Sequence, residues 1–386
     1  MSHRTAIPAA FAAGLLALAV PARADLAISA NDGKGMLVKG VNTVPDNPPA
    51  DNVTIIDLKA NPPKIIATLE MPTSLVGPPQ SVAIAADESF ALVTAATKID
   101  PTDKKKTAPD NKVSVIDLQA KPPKVIGAVE AGQGATDVSI NRAGTLALVT
   151  NRNEGTVSVF TIANKTLTPA GKIQLGEATS GPSSVAFTPD GKRALVTRDG
   201  DSKVTVLSIE GTAVKPAGRD MYAGLKPYGM GISPKGDWAA VTNAGMGNGD
   251  SDTISLIDLK ANPPRVVDTA TVGQTPESLT VAPDGKHVVV TVMNGSNKVP
   301  DSPFLSDHGI APVFAVENGK LRKVTEAKVG RWCQGAAWNA ASNLLLVQCM
   351  VENEIMLFRF DGKTLKPAGG IKVSGGPAGI ATTPVK

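Results

Sequence analysis

Aromatic side chains make up only 3% of this 386-residue sequence, and cysteine occurs twice and histidine three times. With so few rings, a packed interior has to come from Val, Ile, Leu and Ala. There is no Cys-x-x-Cys-His run, which excludes covalently attached haem. No Gly-x-Ser-x-Gly, Walker or Gly-x-Gly-x-x-Gly phrase stands between a strand and a helix, and almost no stretch has helical periodicity to carry one. Charge is nearly balanced, 39 Lys and Arg against 35 Asp and Glu. That balance calls for neither nucleic acid nor an anionic membrane surface as partner.

The one long apolar run, Phe11 to Val20, is too short to span a bilayer. It follows Arg4 and precedes Ala22-Arg23-Ala24. A basic start, an apolar centre and a small-x-small end describe a secretory signal peptide over residues 1–24. Residues 25–386 are then expected as one mature domain, periplasmic or secreted, carrying a net charge of about +2 once Arg4 and Arg23 are removed.

What the chain does have is a repeat. Gly181 to Ile209 contains a short alternating run at Ser184 to Phe187, a turn at Pro189-Asp190-Gly191, a second run at Arg193 to Thr197 and a third at Val204 to Ile209. An apolar period of two, punctuated by Pro-Asp-Gly, reads as strands rather than helix. Related phrases are anchored at Leu26, Val82, Val138, Met230, Leu279 and Ala336, with a truncated copy at Ile380, at spacings of 44 to 57 residues. Units of that length, with room for four short strands, predict an all-β propeller: seven blades, each a four-stranded antiparallel sheet. Strand B ends in phrases such as Leu148-Val149-Thr150-Asn151 and Ala240-Val241-Thr242-Asn243. Prolines such as Pro62-Pro63 and Pro122-Pro123 mark C to D turns. Lacking N–H donors, they suit an outer sheet edge.

The Pro-x-x-Val-x-Φ-x-Pro-Asp-Gly-Lys unit followed by Leu-Val-Thr-Asn resembles the YVTN-family β-propeller repeat over essentially the whole mature chain, with Leu or Val in place of the leading Tyr. WD-type phrases are absent. The resemblance implies blades around a central channel, strand A innermost, and ligands received at one face. Lactonase-like propellers and the propeller subunits of periplasmic quinoprotein amine dehydrogenases are the nearest relatives it suggests. The surplus strand at Pro377 to Pro384 is expected to pair into the blade begun by Asp25 to Leu58 and close the ring, which removes the open edges.

A–B turns are uniformly short, whereas the B–C connections at 39–52, 95–112, 243–252 and 292–309 are long. Both B–C and D–A connections belong to one rim, where binding residues concentrate on a rigid scaffold. On that rim the position two before each anchor reads Gln80, Thr136, Ser183, Tyr228, Glu277, Gln334 and Ala378. Such a ring suits a polar ligand or a column of ordered water. Arg152 and Arg198 after strand B, Asn243 at the same point of another blade, and Arg331-Trp332 before a strand A complete the candidate ligand-binding set. The arginines suit a carboxylate or phosphate clamp; the alternative is that each pairs with a local acid, Arg198 with Asp199 or Asp201.

Cys333 and Cys349 sit symmetrically about the turn at Ala340-Ala341-Ser342, so hairpin register places them opposite each other and predicts a disulfide. Metal signals are weak. Asp250 and Asp252 alternate in one loop but lack a bidentate Glu, so no metal and no cofactor is expected. The sole catalytic constellation on offer is Glu277 with Asp307 and His308 above it. The sequence therefore favours a non-catalytic exported propeller binding a partner protein or a small polar ligand. The alternative is a lactonase-like hydrolase or a quinoprotein dehydrogenase subunit.

Overall fold

The structure, a computed structural model, describes Met1 and residues 25–384. Apart from Met1, the leader read over residues 1–24 lies outside the described residues. Seven four-stranded antiparallel sheets form the molecule. Their innermost strands are Val82–Ile84, Ala135–Ile140, Pro182–Phe187, Pro227–Ile232, Pro276–Val281, Cys333–Trp338 and Gly376–Thr382, and they open blades one to seven. Blade seven is composite. The C-terminal Gly376–Thr382 pairs with the N-terminal Leu26–Asp32, which pairs onward with Asn52–Asp57. The ring is closed as expected, with one correction: Leu26 begins the second strand of its blade, not an innermost strand. Its run is fully buried and sits where the Leu-Val-Thr-Asn phrase sits in other blades.

The repeated threonine of that phrase explains why the blades hold together. In blades two, three, four and six the innermost strand loses ladder register at the two residues before its anchor, for example between Ala135 and Val138 and between Pro227 and Met230, and in blade five at one. A backbone N–H freed there needs a partner. The strand B threonine supplies it: the hydroxyls of Thr150, Thr197, Thr242 and Thr291 accept from Asp137, Ser184, Gly229 and Ser278 at 2.8–3.2 Å. Each hydroxyl then donates to the next blade, Thr150 to the carbonyl of Ser183 at 3.1 Å and Thr197 to that of Tyr228 at 2.6 Å. The Asn that follows reaches outward, Asn151 to Thr156 and Ser158, and Asn243 to Thr253 and Ser255. One phrase thus ties strand A, strand C and the neighbouring blade. Between blades the core is aliphatic, built from Val, Ile, Leu and Ala with few rings.

The predicted disulfide is present. Cys333 and Cys349 face each other in the ladder and are bonded, both fully buried.

Candidate functional site

The long B–C connections do not lie independently on their rim. In blade seven, residues 33–51 carry a small hairpin, Met36–Val38 with Val41–Thr43. Its tip, Gly40, rests on the backbone of Lys298 and Val299 from blade five. A Cβ there would come within 2.4 Å of both residues, and φ is +79°, so only glycine fits. Lys298 donates to the carbonyl of Gly247 in blade four, and the ring of Phe304 packs over Gly249. On the other side Lys105 of blade one pairs with Asp46. Four excursions are thereby chained into a crown running from blade four to blade one. It is anchored by a buried network in which Asp32 accepts from the backbone N–H of Lys34, Gly35 and Leu75, and Lys34 bridges Asp51. The crown exposes Met36, Val38, Val41, Met246, Val299, Phe304 and Leu305.

Inside the crown the ring of residues two before each anchor has separate fates. The segment before Val82 folds inward, burying Gly77, Pro78 and Pro79, and Gly77 packs on Thr136. Gln80 reaches across the axis to blade four. Its Nε2 donates to the carbonyl of Met230 at 2.5 Å, while its Oε1 accepts from Met230 N at 3.0 Å and Ser184 Oγ at 2.9 Å. Gln80 therefore divides the channel instead of lining an open mouth. Thr136 is consumed by Thr150 and blade three. Ala378 and Trp332 join Leu75, Met293 and Met350 in an apolar cluster. Gln334 is buried with its side-chain oxygen unpartnered.

Tyr228 and Glu277 remain, and Arg152 joins them from the neighbouring side. Its guanidinium pairs with Asp199 and lies 5.4 Å from the centre of the Tyr228 ring. Asp199 is held in turn by Ser183 Oγ at 2.6 Å. Burial opposes the charge on Arg152, but Tyr228 and Asp199 more than offset it, and it stays protonated. Burial pushes the Tyr228 hydroxyl up, Arg152 countering in part. The Glu277 carboxyl is pushed up to about 8, chiefly by burial, with Asp199 adding and Arg152 opposing. No hydrogen bond to that carboxyl is formed among the described residues. A neutral acid, a fixed cation and a phenol thus share one mouth, which is suited to holding a carbonyl oxygen and exchanging a proton beside it.

Other candidates are placed elsewhere. Arg198 is buried and tied to Asp201, to Asp220 at 3.0 Å and to Thr205 at 3.2 Å, the local pairing that was the alternative to a clamp. Arg331 pairs with Glu352 at 3.2 Å, and Asn243 serves its own blade. His308 and Asp307 bond to each other at 2.5 Å, with Lys328 as the further charge acting on Asp307. The charges acting on Glu277 are Arg152 and Asp199, so the proposed Glu277–Asp307–His308 constellation is not assembled. Asp252 accepts from Thr275 N at 2.8 Å and staples its loop, and burial, with Asp250 adding, raises its pKa. Among the described residues no three His, Cys, Asp or Glu converge as a metal site would require.

One residue went unnoticed in the sequence. Asp137 lies in the channel below Gln80, and burial pushes its carboxyl up to about 8 although a bond with the Ser184 side chain and one accepted from the Val185 N–H at 2.8 Å oppose it. The signal was there: the position before each anchor is Ser or Gly in the other six blades, and Asp only here.

No protein-family model and no curated protein matches the chain. Solved structures do. A 6-phosphogluconolactonase candidate from Bacteroides uniformis has a TM-score of 0.72 at 18% identity, covering 93% of this chain and 100% of its own. The periplasmic gluconolactonase of Pseudomonas aeruginosa gives 0.66 at 16%, covering 93% and 98%. A protein of unknown function from Desulfotomaculum acetoxidans gives 0.67 at 16%, with the same coverage. What the chain shares with them is the seven-bladed propeller. Among the described residues no helix is long and apolar enough to cross a membrane.

Proposed function

We propose that this exported propeller binds a small polar carbonyl compound at the crowned mouth, and that hydrolysis of a lactone ring is the reaction its residues perform there. The reading rests on Glu277, a buried carboxyl without a hydrogen-bond partner beside Arg152 and Tyr228. Ionised Glu277 takes a proton from water as the oxygen attacks the lactone carbonyl carbon. Arg152 and Tyr228 hold the developing oxyanion. The protonated acid then returns its proton to the departing ring alkoxide, leaving a hydroxy acid. The match in fold to two structures whose descriptions name lactonases supports this choice of carbonyl compound.

Turnover of aldonolactones by the purified protein tests it. Activity should rise with pH through about 8 and fall at least 100-fold in Glu277→Gln, which keeps the shape but cannot accept the proton. Wild-type protein indistinguishable from the spontaneous rate on a panel of five- and six-membered lactones refutes it. A second reading, docking of a partner protein, is supported by the exposed apolar residues of the crown. Under that reading Phe304→Asp with Leu305→Asp abolishes a periplasmic complex that Glu277→Gln leaves intact.

A further inference from the structure

The axial channel continues beneath Gln80 to the opposite, plain rim. Its upper part is a cavity of about 260 Å³ whose walls include Val82, Ile84, Val185, Ala336 and Ile380. It opens into a bowl, also of about 260 Å³, walled by Ile140, Phe187, Ile232, Val281 and Trp338 and edged by the turn prolines Pro189, Pro234, Pro283 and Pro384. The two adjoin, sharing Ile84, Ser139, Ile140, Thr280, Thr382 and Pro384 as walls. We propose that this space is a second binding site, on the side of the Gln80 bridge away from the crown, for a small uncharged amphiphile: an apolar body of six to nine carbons with one hydroxyl, carbonyl or amide head.

Size sets the body. An apolar cavity of about 150 Å³ accepts benzene, so each chamber here holds a bicyclic ring or a six-carbon chain. The polar groups set the head. Asp137 and Gln80 line the inner chamber with Ser139, Thr280 and Thr382, and the bowl sets Asn141, Thr188 and Ser233 among its aliphatic and aromatic walls. That is the arrangement of a ligand pocket: apolar walls with a few convergent polar groups that fix orientation.

Electrostatics select against charge. Among the described residues Asp137 is the sole ionisable one lining the inner chamber, and burial keeps it protonated at neutral pH. The protonated carboxyl is already bonded to Ser184 and to the Val185 N–H, so a head group engages it by taking its O–H from Ser184 onto a carbonyl or hydroxyl oxygen. A carboxylate head would be buried beside it with no cation among the described residues of the chamber wall. An ammonium head would have to ionise Asp137 and bury both charges, and desolvation opposes that. The charged residue of the bowl, Arg142, lies at its exposed lip. Trp338 stands in the bowl wall with its indole N–H buried and unpartnered, and gives the site an intrinsic reporter.

Titration calorimetry of the full mature chain with 1-hexanol and with indole, alongside hexanoate and hexylammonium, tests the proposal, and Trp338 fluorescence follows the hexanol titration. The expected result is saturable binding of both neutral probes at one per chain, with both charged probes at least ten-fold weaker. Ile232→Phe and Val281→Phe fill the bowl and should each weaken hexanol at least ten-fold while leaving aldonolactone turnover, where wild type shows it, unchanged. Absence of saturable binding by wild type up to the solubility of hexanol, charged probes binding equally well, or full affinity in both filled variants overturns it. If the filled variants fail to fold, the neutral-against-charged comparison on wild type still decides. Loss of lactone turnover with hexanol binding intact refutes the crown reading alone, and the converse refutes this one alone.

Discussion

Replacing Glu277 by Gln should make the protein more stable, by an amount that grows with pH. The folded-state carboxyl holds its proton to about pH 8 against an ordinary value of 4.5. Between those values the folded state binds one proton more than the unfolded state. Stability therefore falls as pH rises, by up to about 1.36 kcal/mol per unit. The contribution is fully present below pH 4.5 and lost as pH passes 8, a ceiling of about 5 kcal/mol across the window. Water penetration and local relaxation reduce it, and we expect about 2–4 kcal/mol. Gln has the same shape and no proton to lose, so its curve lacks this slope. At about 2.1 cal/mol/K per residue, a domain of this length has an unfolding entropy near 0.8 kcal/mol/K. The variant should then gain about 3–5 °C in Tm over wild type between pH 5 and pH 8. Differential scanning calorimetry at half-unit pH steps measures it. Parallel wild-type and variant curves would mean that Glu277 is ionised and solvated in the folded protein, and the proton chemistry assigned to it would fail as well.

Thr242→Val leaves the Gly229 N–H without its 2.8 Å acceptor and should cost about 1–3 kcal/mol in urea denaturation; a loss below 0.5 kcal/mol would remove the threonine clip as an explanation of blade packing. Deleting residues 376–386 strips the innermost strand from blade seven and exposes the edge of Leu26–Asp32. Thermal melting should lose its single cooperative transition or fall by more than 10 °C, and unchanged melting would show that closure contributes little. Replacing both Cys333 and Cys349 by Ser opens a 16-residue separation and should cost about 3 kcal/mol, read in denaturant midpoint against wild type under non-reducing conditions.

Architecture was legible because it is written in local, repeated terms. Period-two runs, Pro-Asp-Gly turns and a 44–57-residue spacing each follow from backbone geometry, and repetition makes even weak copies such as that at Ala336 readable. The disulfide was legible for the same reason, since hairpin register is arithmetic about a turn. Leu26 was misplaced because strands A and B of one blade share the same small-apolar alternation. Only its pairing with a strand more than 340 residues away shows which of the two it is.

The candidate site was legible as a set of positions and not as an arrangement. Sequence alone determined that Tyr228, Glu277 and Gln80 occupy equivalent places in their units and that one rim is elaborated. It could not determine that Gln80 swings across the axis, that Arg152 leaves its own blade for Asp199 and Tyr228, or that Asp307 and His308 turn to each other. Those outcomes depend on which side chains from distant blades compete for the same few donors and acceptors around one axis. A ring of seven sheets brings together residues separated by 150 positions, and burial in that confined space, invisible to any local pattern, raises the pKa of Glu277 and Asp137.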